Sequence, residues 1–184
     1  MPSPHWWIAA ALLGLLSIAA WTDLRSRRIP NWLTGTVVLA GFAQSLVHVG
    51  WTTPLWAFVG MIAGFVLTFV MYHVGGRGAG DVKLMAGIGA WLGPLATWWV
   101  FALAAIVSAI VALVQATLQG KLRALLSNAA LLLLNAIHVK QLGAEHVIDT
   151  GRRTRSIDKE MPNAVIVWIA TIVWMTIVYC RGSV

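Results

Sequence analysis

Six residues of this chain carry a carboxylate, and two of them stand apart from the rest. Glu145, Asp149, Asp158 and Glu160 share one polar stretch, and a solvated charged loop accounts for them. Asp23 and Asp81 instead each lie at the edge of a long apolar run. Ionisable groups at a membrane edge are costly and tend to be functional. Asp23 carries a further cost, because it falls at the C-terminal end of a helix, where the macrodipole disfavours an anion. Two carboxylates that approach closely cannot both ionise cheaply; one keeps its proton, and the pair becomes an acid and a base in one site. Such a pair can hold a water, deprotonate it for attack on a peptide carbonyl, and protonate the leaving amine. Each acid also has a plainer reading. Asp23 can pair with Arg27, four residues on, and Asp81 can cap the helix that follows it. His5, His48 and His73 are scattered singly, and the sequence has no HExxH and no GxSxG, so neither a metal site nor a serine triad has support.

The elements that must position these acids are set by an unusual composition. Hydrophobic residues make up 59% and charged residues only 10%, against about 25% charged in a soluble domain. With a mean hydropathy of +0.80, this excludes soluble enzyme folds, disordered chains and collagen-like chains. The net charge of +7 would suggest nucleic acid in a soluble protein. Here it is a topology signal, and no nucleic-acid partner is expected. The single Cys180 excludes an internal disulfide framework and a zinc cage built on cysteine.

Uncharged runs divide the chain into membrane helices, each close to the ~20 residues a bilayer needs. The first covers His5 to Thr22. No Lys or Arg precedes it and a basic cluster follows it, so it reads as a retained span and not as a secretory signal. The run from Ile29 to Gly76 is broken by Gly50 to Pro54, giving spans near Trp32–Val49 and Leu55–Val74. Gly93-Pro94 divides the next run into a short piece, Leu84–Leu92, and an ample span, Leu95–Leu118. The short piece can be a half-helix buried among its neighbours. A last span covers about Ala164–Cys180. Between the last two, Ala124–Val139 places Ser127, Asn128, Asn135 and His138 on one arc, which favours a helix lying in the membrane interface. Gly143–Glu160 reads as a solvated loop. The expected fold is therefore all-α: one domain over 1–184, a bundle of about six membrane helices with its N-terminus outside. That topology puts every basic residue but Arg181 on the cytoplasmic side, as the positive-inside rule demands. Trp6, Trp7, Trp51, Trp56, Trp98 and Trp99 then mark the outer interface, and Trp21 and Trp32 the inner one. Asp23 and Asp81 come to the same membrane face.

The residues around the two acids are specific. Asp81 stands in Gly78-Ala79-Gly80-Asp81-Val82-Lys83, a GxGDxK motif, and Asp23 is followed by Arg25, Arg28 and Ile29-Pro30-Asn31. This combination resembles the type IV prepilin peptidase family of GxGD membrane aspartyl proteases. The resemblance covers the first four spans well and the remainder only by general layout. It implies a catalytic pair of Asp23 and Asp81, no cofactor and no metal. It also implies a prepilin-like protein substrate, cleaved after a short basic leader at the cytoplasmic face of a bacterial inner membrane. Membrane lipids and pilus or secretion assembly proteins are the further partners it suggests. Larger members carry an extra cytoplasmic domain with paired Cys-x-x-Cys motifs and also N-methylate the new terminus. With a lone cysteine and no room for that domain, this chain is expected to be a peptidase without methyltransferase activity, similar to the short members associated with tight-adherence (Flp-type) pili.

Beside that resemblance, Gly75, Gly76, Gly78 and Gly80 make a stretch where backbone can approach backbone closely. An extended substrate can lie there, paired through main-chain hydrogen bonds, so Gly78 and Gly80, with Lys83 beside them, are expected to bind substrate. Two roles are open to Lys83: tuning Asp81, or meeting lipid phosphate. Pro30 and Asn31 are expected to shape the turn and cap the second helix. Presenilin-like proteases share GxGD, but their first aspartate sits in a Tyr-Asp pair, where this chain has Thr22-Asp23. The alternative of another class is a non-enzymatic membrane subunit. A transporter should show polar groups deep in its spans, where only Gln44, Ser45, Gln115 and a few Ser or Thr are available. A scaffold subunit of a pilus or secretion assembly would need neither aspartate.

Overall fold

Long uncharged stretches punctuated by Gly, Pro and basic residues fold here as helices separated by short breaks. The computed structural model describes residues 6–47, 52–75, 78–137 and 162–182. The loop expected over Gly143–Glu160, with its four acids, lies outside them, as do His5, His48 and Trp51. Among the described residues the chain is all-α, with seven helices: α1 (Trp6–Ser26), α2 (Asn31–Leu46), α3 (Pro54–Gly75), α4 (Ala79–Leu92), α5 (Pro94–Leu118), α6 (Leu122–Ile137) and α7 (Asn163–Gly182).

The breaks have local causes. Helix α1 ends where Arg27 turns into the left-handed region (φ 51°) and donates its N–H to the Asp23 carbonyl at 2.8 Å. Pro30 is extended (φ −61°, ψ 139°), and its carbonyl accepts the first N–H groups of α2, from Leu33 and Thr34. Gly93, at φ 78°, both stops α4 and starts α5. Its N–H goes to Gly89, while its carbonyl accepts the Thr97 N–H and hydroxyl. Pro94 then occupies the first helical position, where a missing N–H costs nothing.

Helices α1, α3, α5 and α7 are long and apolar enough to cross a membrane. Of the six expected spans, the other two fall short. Helix α2 has 16 residues and α4 has 14, about 24 and 21 Å, against a hydrocarbon core of about 30 Å. Helix α4 is shorter than a span because it does not face lipid. From Asp81 to Leu92 all its residues are buried except Lys83. A helix enclosed by protein has its polar backbone satisfied whatever its length. The expected half-helix is thus present, but it begins earlier than the apolar run and takes in the Gly-rich motif.

Helix α4 is gripped mainly by α2 and α3, while α1 packs on α7 and α7 on α5. The fit against α3 depends on glycine. A Cβ at Gly60 would collide with the Gly89 carbonyl oxygen, one at Gly89 with the Gly60 carbonyl oxygen, and one at Gly64 with the Met85 carbonyl oxygen. Gly60 and Gly64 form the small-xxx-small pattern that lets membrane helices approach backbone to backbone. On the other side, Trp91 Nε1 donates to the Val37 carbonyl at 2.8 Å, and Gln44 Nε2 donates to the Trp91 carbonyl at 2.9 Å. Gln44 and Ser45 were the deep polar groups that a transporter would need. Both bind neighbouring backbone, Ser45 through the Phe42 carbonyl. The core is formed by Leu12, Leu16, Leu33, Val37, Leu84, Met85, Ile88 and Val100. Phe58, Phe65, Phe69, Ile106 and Ile110 point outward, which suits a chain whose solvent is lipid. Trp21 and Trp32 are exposed near one end of the bundle, Trp7, Trp56, Trp98 and Trp99 near the other. Helix α6 coincides closely with the amphipathic helix expected over Ala124–Val139.

Candidate active site

One end of the bundle gathers the C-terminal end of α1 and the N-terminal ends of α2, α4 and α7. Asp23 arrives from α1 and Asp81 from α4. Both are buried, each with 8% of its surface exposed. They meet at the same structural feature, the first turn of α7. The Ala164 N–H donates to Asp23 Oδ2 at 3.0 Å, and Asn163 Nδ2 donates to Asp81 Oδ2 at 3.0 Å. Two consecutive residues therefore hold the two carboxylates, although the acids are far apart in sequence.

The physics of each contact follows from the helix ends. The first N–H groups of α7 have no partner within their own helix, and the dipole there favours negative charge. Asp23 sits at the unfavourable end of α1, but the N-terminus of α7 supplies what α1 withholds. The alternative pairing with Arg27 is not formed; Arg27 is exposed, and the Asp23 carboxylate turns inward to α7. Asp81 is at the third helical position of α4. It accepts the Gly78 N–H on Oδ2 at 3.1 Å, while its own N–H goes to the Gly78 carbonyl at 3.0 Å. So Asp81 does cap its helix, as the plainer reading of the sequence held. Capping is not its only contact: the same side chain also reaches α7.

The remaining motif residues tie the two loops together. Lys83 Nζ donates to Asn31 Oδ1 at 2.9 Å, at the surface. Of the roles open to Lys83, the structure thus gives it a third, a link from α4 to the start of α2. Asn31 differs from expectation for the same reason. It is the first residue of α2, the preceding position is Pro30, and no side chain caps that helix; its side-chain oxygen is engaged by Lys83 instead. Gly80 lies against Ile29, where an added Cβ would sit 3.1 Å from the Ile29 Cβ. Gly78 is exposed, with an ordinary extended backbone (φ −71°, ψ 147°). Gly75 is the last residue of α3, and Gly76 lies outside the described residues.

Asn163 is the residue that sequence reading passed over. The last span was expected from about Ala164, one residue further on. A cap-type residue directly after Pro162 was a visible helix-start signal, but nothing local announces a partner in α4. The opposite end of the bundle holds an apolar cavity of about 680 Å³ between α3, α5 and α7, bordered by Trp56, Trp99 and Trp174. It is separate from the carboxylates and contributes nothing to their chemistry.

Two buried carboxylates held by donors, at the mouth of a membrane helix bundle, are equipped for acid–base work on a bound water. Comparison with known proteins bears on the family. The prepilin leader peptidase/N-methyltransferase of Burkholderia pseudomallei (strain 1026b) is 34% identical over 126 residues, covering 63% of this chain and 38% of that protein. The protein of the same name from Aeromonas salmonicida (strain A449) is 35% identical over 118 residues, 59% of this chain and 40% of its own length. The chain thus spans well under half the length of these curated relatives. No solved structure matches. A model of the type IV leader peptidase family matches residues 10–113, a stretch that holds Asp23, the Ile29-Pro30-Asn31 turn, GxGDxK and all of α4, and on that match the chain belongs to the type IV leader peptidase family.

Proposed function

We propose that the chain is a membrane aspartyl endopeptidase that removes the leader from type IV pilin-like precursors, with Asp23 and Asp81 as its acid–base pair. The observation that carries this reading is the convergence of both buried carboxylates on the first turn of α7. One carboxylate takes a proton from water as the water oxygen bonds to the scissile carbonyl carbon. The other, protonated, shares its proton with the carbonyl oxygen. The tetrahedral intermediate collapses as the C–N bond breaks and the leaving nitrogen takes a proton. Water and one peptide bond become one carboxyl and one amine, and the pair ends with the proton count it began with. The rim from exposed Gly78 to partly buried Gly80 is where an extended leader would lie, and Lys83 holds that rim to the neighbouring turn. The bundle sits in a bacterial inner membrane with this end facing the cytoplasm, so precursors are cut on that side. The substrate class is the Flp-type precursors, and no methyl transfer accompanies cleavage, in keeping with a single cysteine.

The test is a cleavage assay in membranes, with the chain co-expressed beside an Flp-type precursor and followed by size. Asp23→Asn and Asp81→Asn should each accumulate normally and lose cleavage by about 10³-fold or more. Normal cleavage by either variant would remove that residue from the dyad. Pilus assembly that survives both substitutions would instead identify a scaffold subunit.

A further inference from the structure

We propose that Asn163 is a positioning residue for Asp81: its amide holds Oδ2 of that carboxylate as an acceptor and so fixes the orientation in which the carboxyl group meets the reacting water. This rests on the peptidase reading above and adds to it a residue well beyond the stretch that matches the family model.

The argument begins with a donor that cannot be reversed. The Gly78 N–H points at Asp81 Oδ2, 3.1 Å away. A main-chain N–H only donates, so this oxygen is an acceptor. Asn163 Nδ2 approaches the same oxygen at 3.0 Å. A carboxamide can present either nitrogen or oxygen, and beside an acceptor it presents nitrogen. Two donors on Oδ2, one from the start of α4 and one from α7, fix the plane of the carboxyl group. Asn163 is also not serving its own helix. A capping side chain would turn its oxygen back to the first N–H groups of α7, whereas this one turns its nitrogen across to α4. The next residue completes the arrangement, since the Ala164 N–H holds Asp23 Oδ2 at 3.0 Å. A single peptide unit thus sets both carboxylates at once, and Asn163 is its only side chain that takes part.

The test has two arms on the full chain in membranes. In the first, Asn163→Leu keeps the bulk and removes the donor. It should lower kcat for precursor cleavage by about 10- to 100-fold, the range of one hydrogen bond to a charged group, with KM little changed. Asn163→His restores a donor at similar reach and should recover most of the loss. Asn163→Asp keeps the shape but sets a third carboxyl against Asp81, and should fall below Asn163→Leu. An order that follows side-chain shape instead of donor, or Asn163→Leu within twofold of wild type, overturns the proposal. The second arm does not depend on activity. Asp81→Cys with Asn163→Cys, in a Cys180→Ser background, should be joined by a short bifunctional thiol reagent. Failure to join them in folded protein overturns the contact itself. Joining them while wild type cleaves no precursor supports the contact and rejects the peptidase reading alone.

Discussion

Replacing Gly60 with alanine adds one methyl group and should destabilise the bundle, although alanine is the better helix former. The geometry sets the sign. The new Cβ would run into the Gly89 carbonyl oxygen and lie 2.8 Å from both Cα and C of Gly93. All of these are backbone atoms, so no rotamer change relieves the contact. Restoring ordinary separation moves α3 away from α4 by about an ångström, and a gap of that size forfeits a quarter to a half of each dispersion contact across the seam. Overpacking of this kind costs about 1–3 kcal/mol or more, set against a gain of about 1 kcal/mol in helix propensity. The net expectation is a loss of about 1–2 kcal/mol. Gly14 and Gly35 provide the control, because a Cβ at either meets nothing within 4 Å. Their alanine variants should gain up to about 1 kcal/mol. Gly60 and Gly89 obstruct each other, so the separation that admits one methyl admits the second, and the double alanine variant should cost less than the sum of the singles. Thermal unfolding in detergent micelles reads all five variants: the two seam singles, their double and the two controls. Gly60→Ala melting at or above wild type, while Gly14→Ala behaves as expected, would refute the close backbone seam. The same displacement moves Asp81 at the start of α4, and a misplacement of about 1 Å can lower cleavage about 100-fold.

Two further outcomes follow from the turn beside the site. Arg27 adopts φ 51°, so Arg27→Gly should raise the melting temperature through a gain of about 1 kcal/mol or less, and a loss of stability would show that its side chain contributes more than its backbone suffers. Lys83→Met removes an exposed hydrogen bond to Asn31; stability should change by less than about 1 kcal/mol while cleavage drops about tenfold, and unchanged cleavage in the membrane assay would leave the link without a role in the site.

Most of the helices could be read from the sequence because lipid imposes a crude pattern. Uncharged length and the positions of Gly-Pro breaks place α1, α3, α5 and α7 to within a few residues. The start of α4 was not readable in that way. Gly78 to Gly80 looks like a breaker, yet α4 begins at Ala79, where Asp81 supplies a cap and burial against α2 and α3 outweighs the weak local propensity. The Gly60–Gly64 seam did carry a signal, a small-residue pair four apart in an apolar helix, but its partner in α4 is set by the tertiary fold. Asp23 and Asp81 were legible because charge is so scarce here. The Asn163 contact was not, because a polar residue at a helix start has a sufficient local explanation. The Lys83 contact to Asn31 was hidden in the same way: each residue had a plausible role alone.

The way the helices pair explains why the start of α7 matters to the two acids. Asp81 rides on α4, which is fixed to α3 along the glycine seam and to α2 through Trp91 and Gln44. Its carboxylate is therefore placed by a rigid body and not by a loop. Asp23 rides on α1, which packs chiefly on α7 and only slightly on α2. Helix α4 likewise touches α7 only lightly. The two acids thus belong to two groups of helices, α2 with α3 and α4, and α1 with α7. A pair of hydrogen bonds from adjacent residues, one to each acid, links the groups at the site. Two such bonds are worth a few kcal/mol at most, enough to hold a resting geometry. On the proposed peptidase reading, they are also small enough for a docking precursor to exchange, so the two groups can shift to admit an extended leader with the buried bodies of α1 and α4 unchanged.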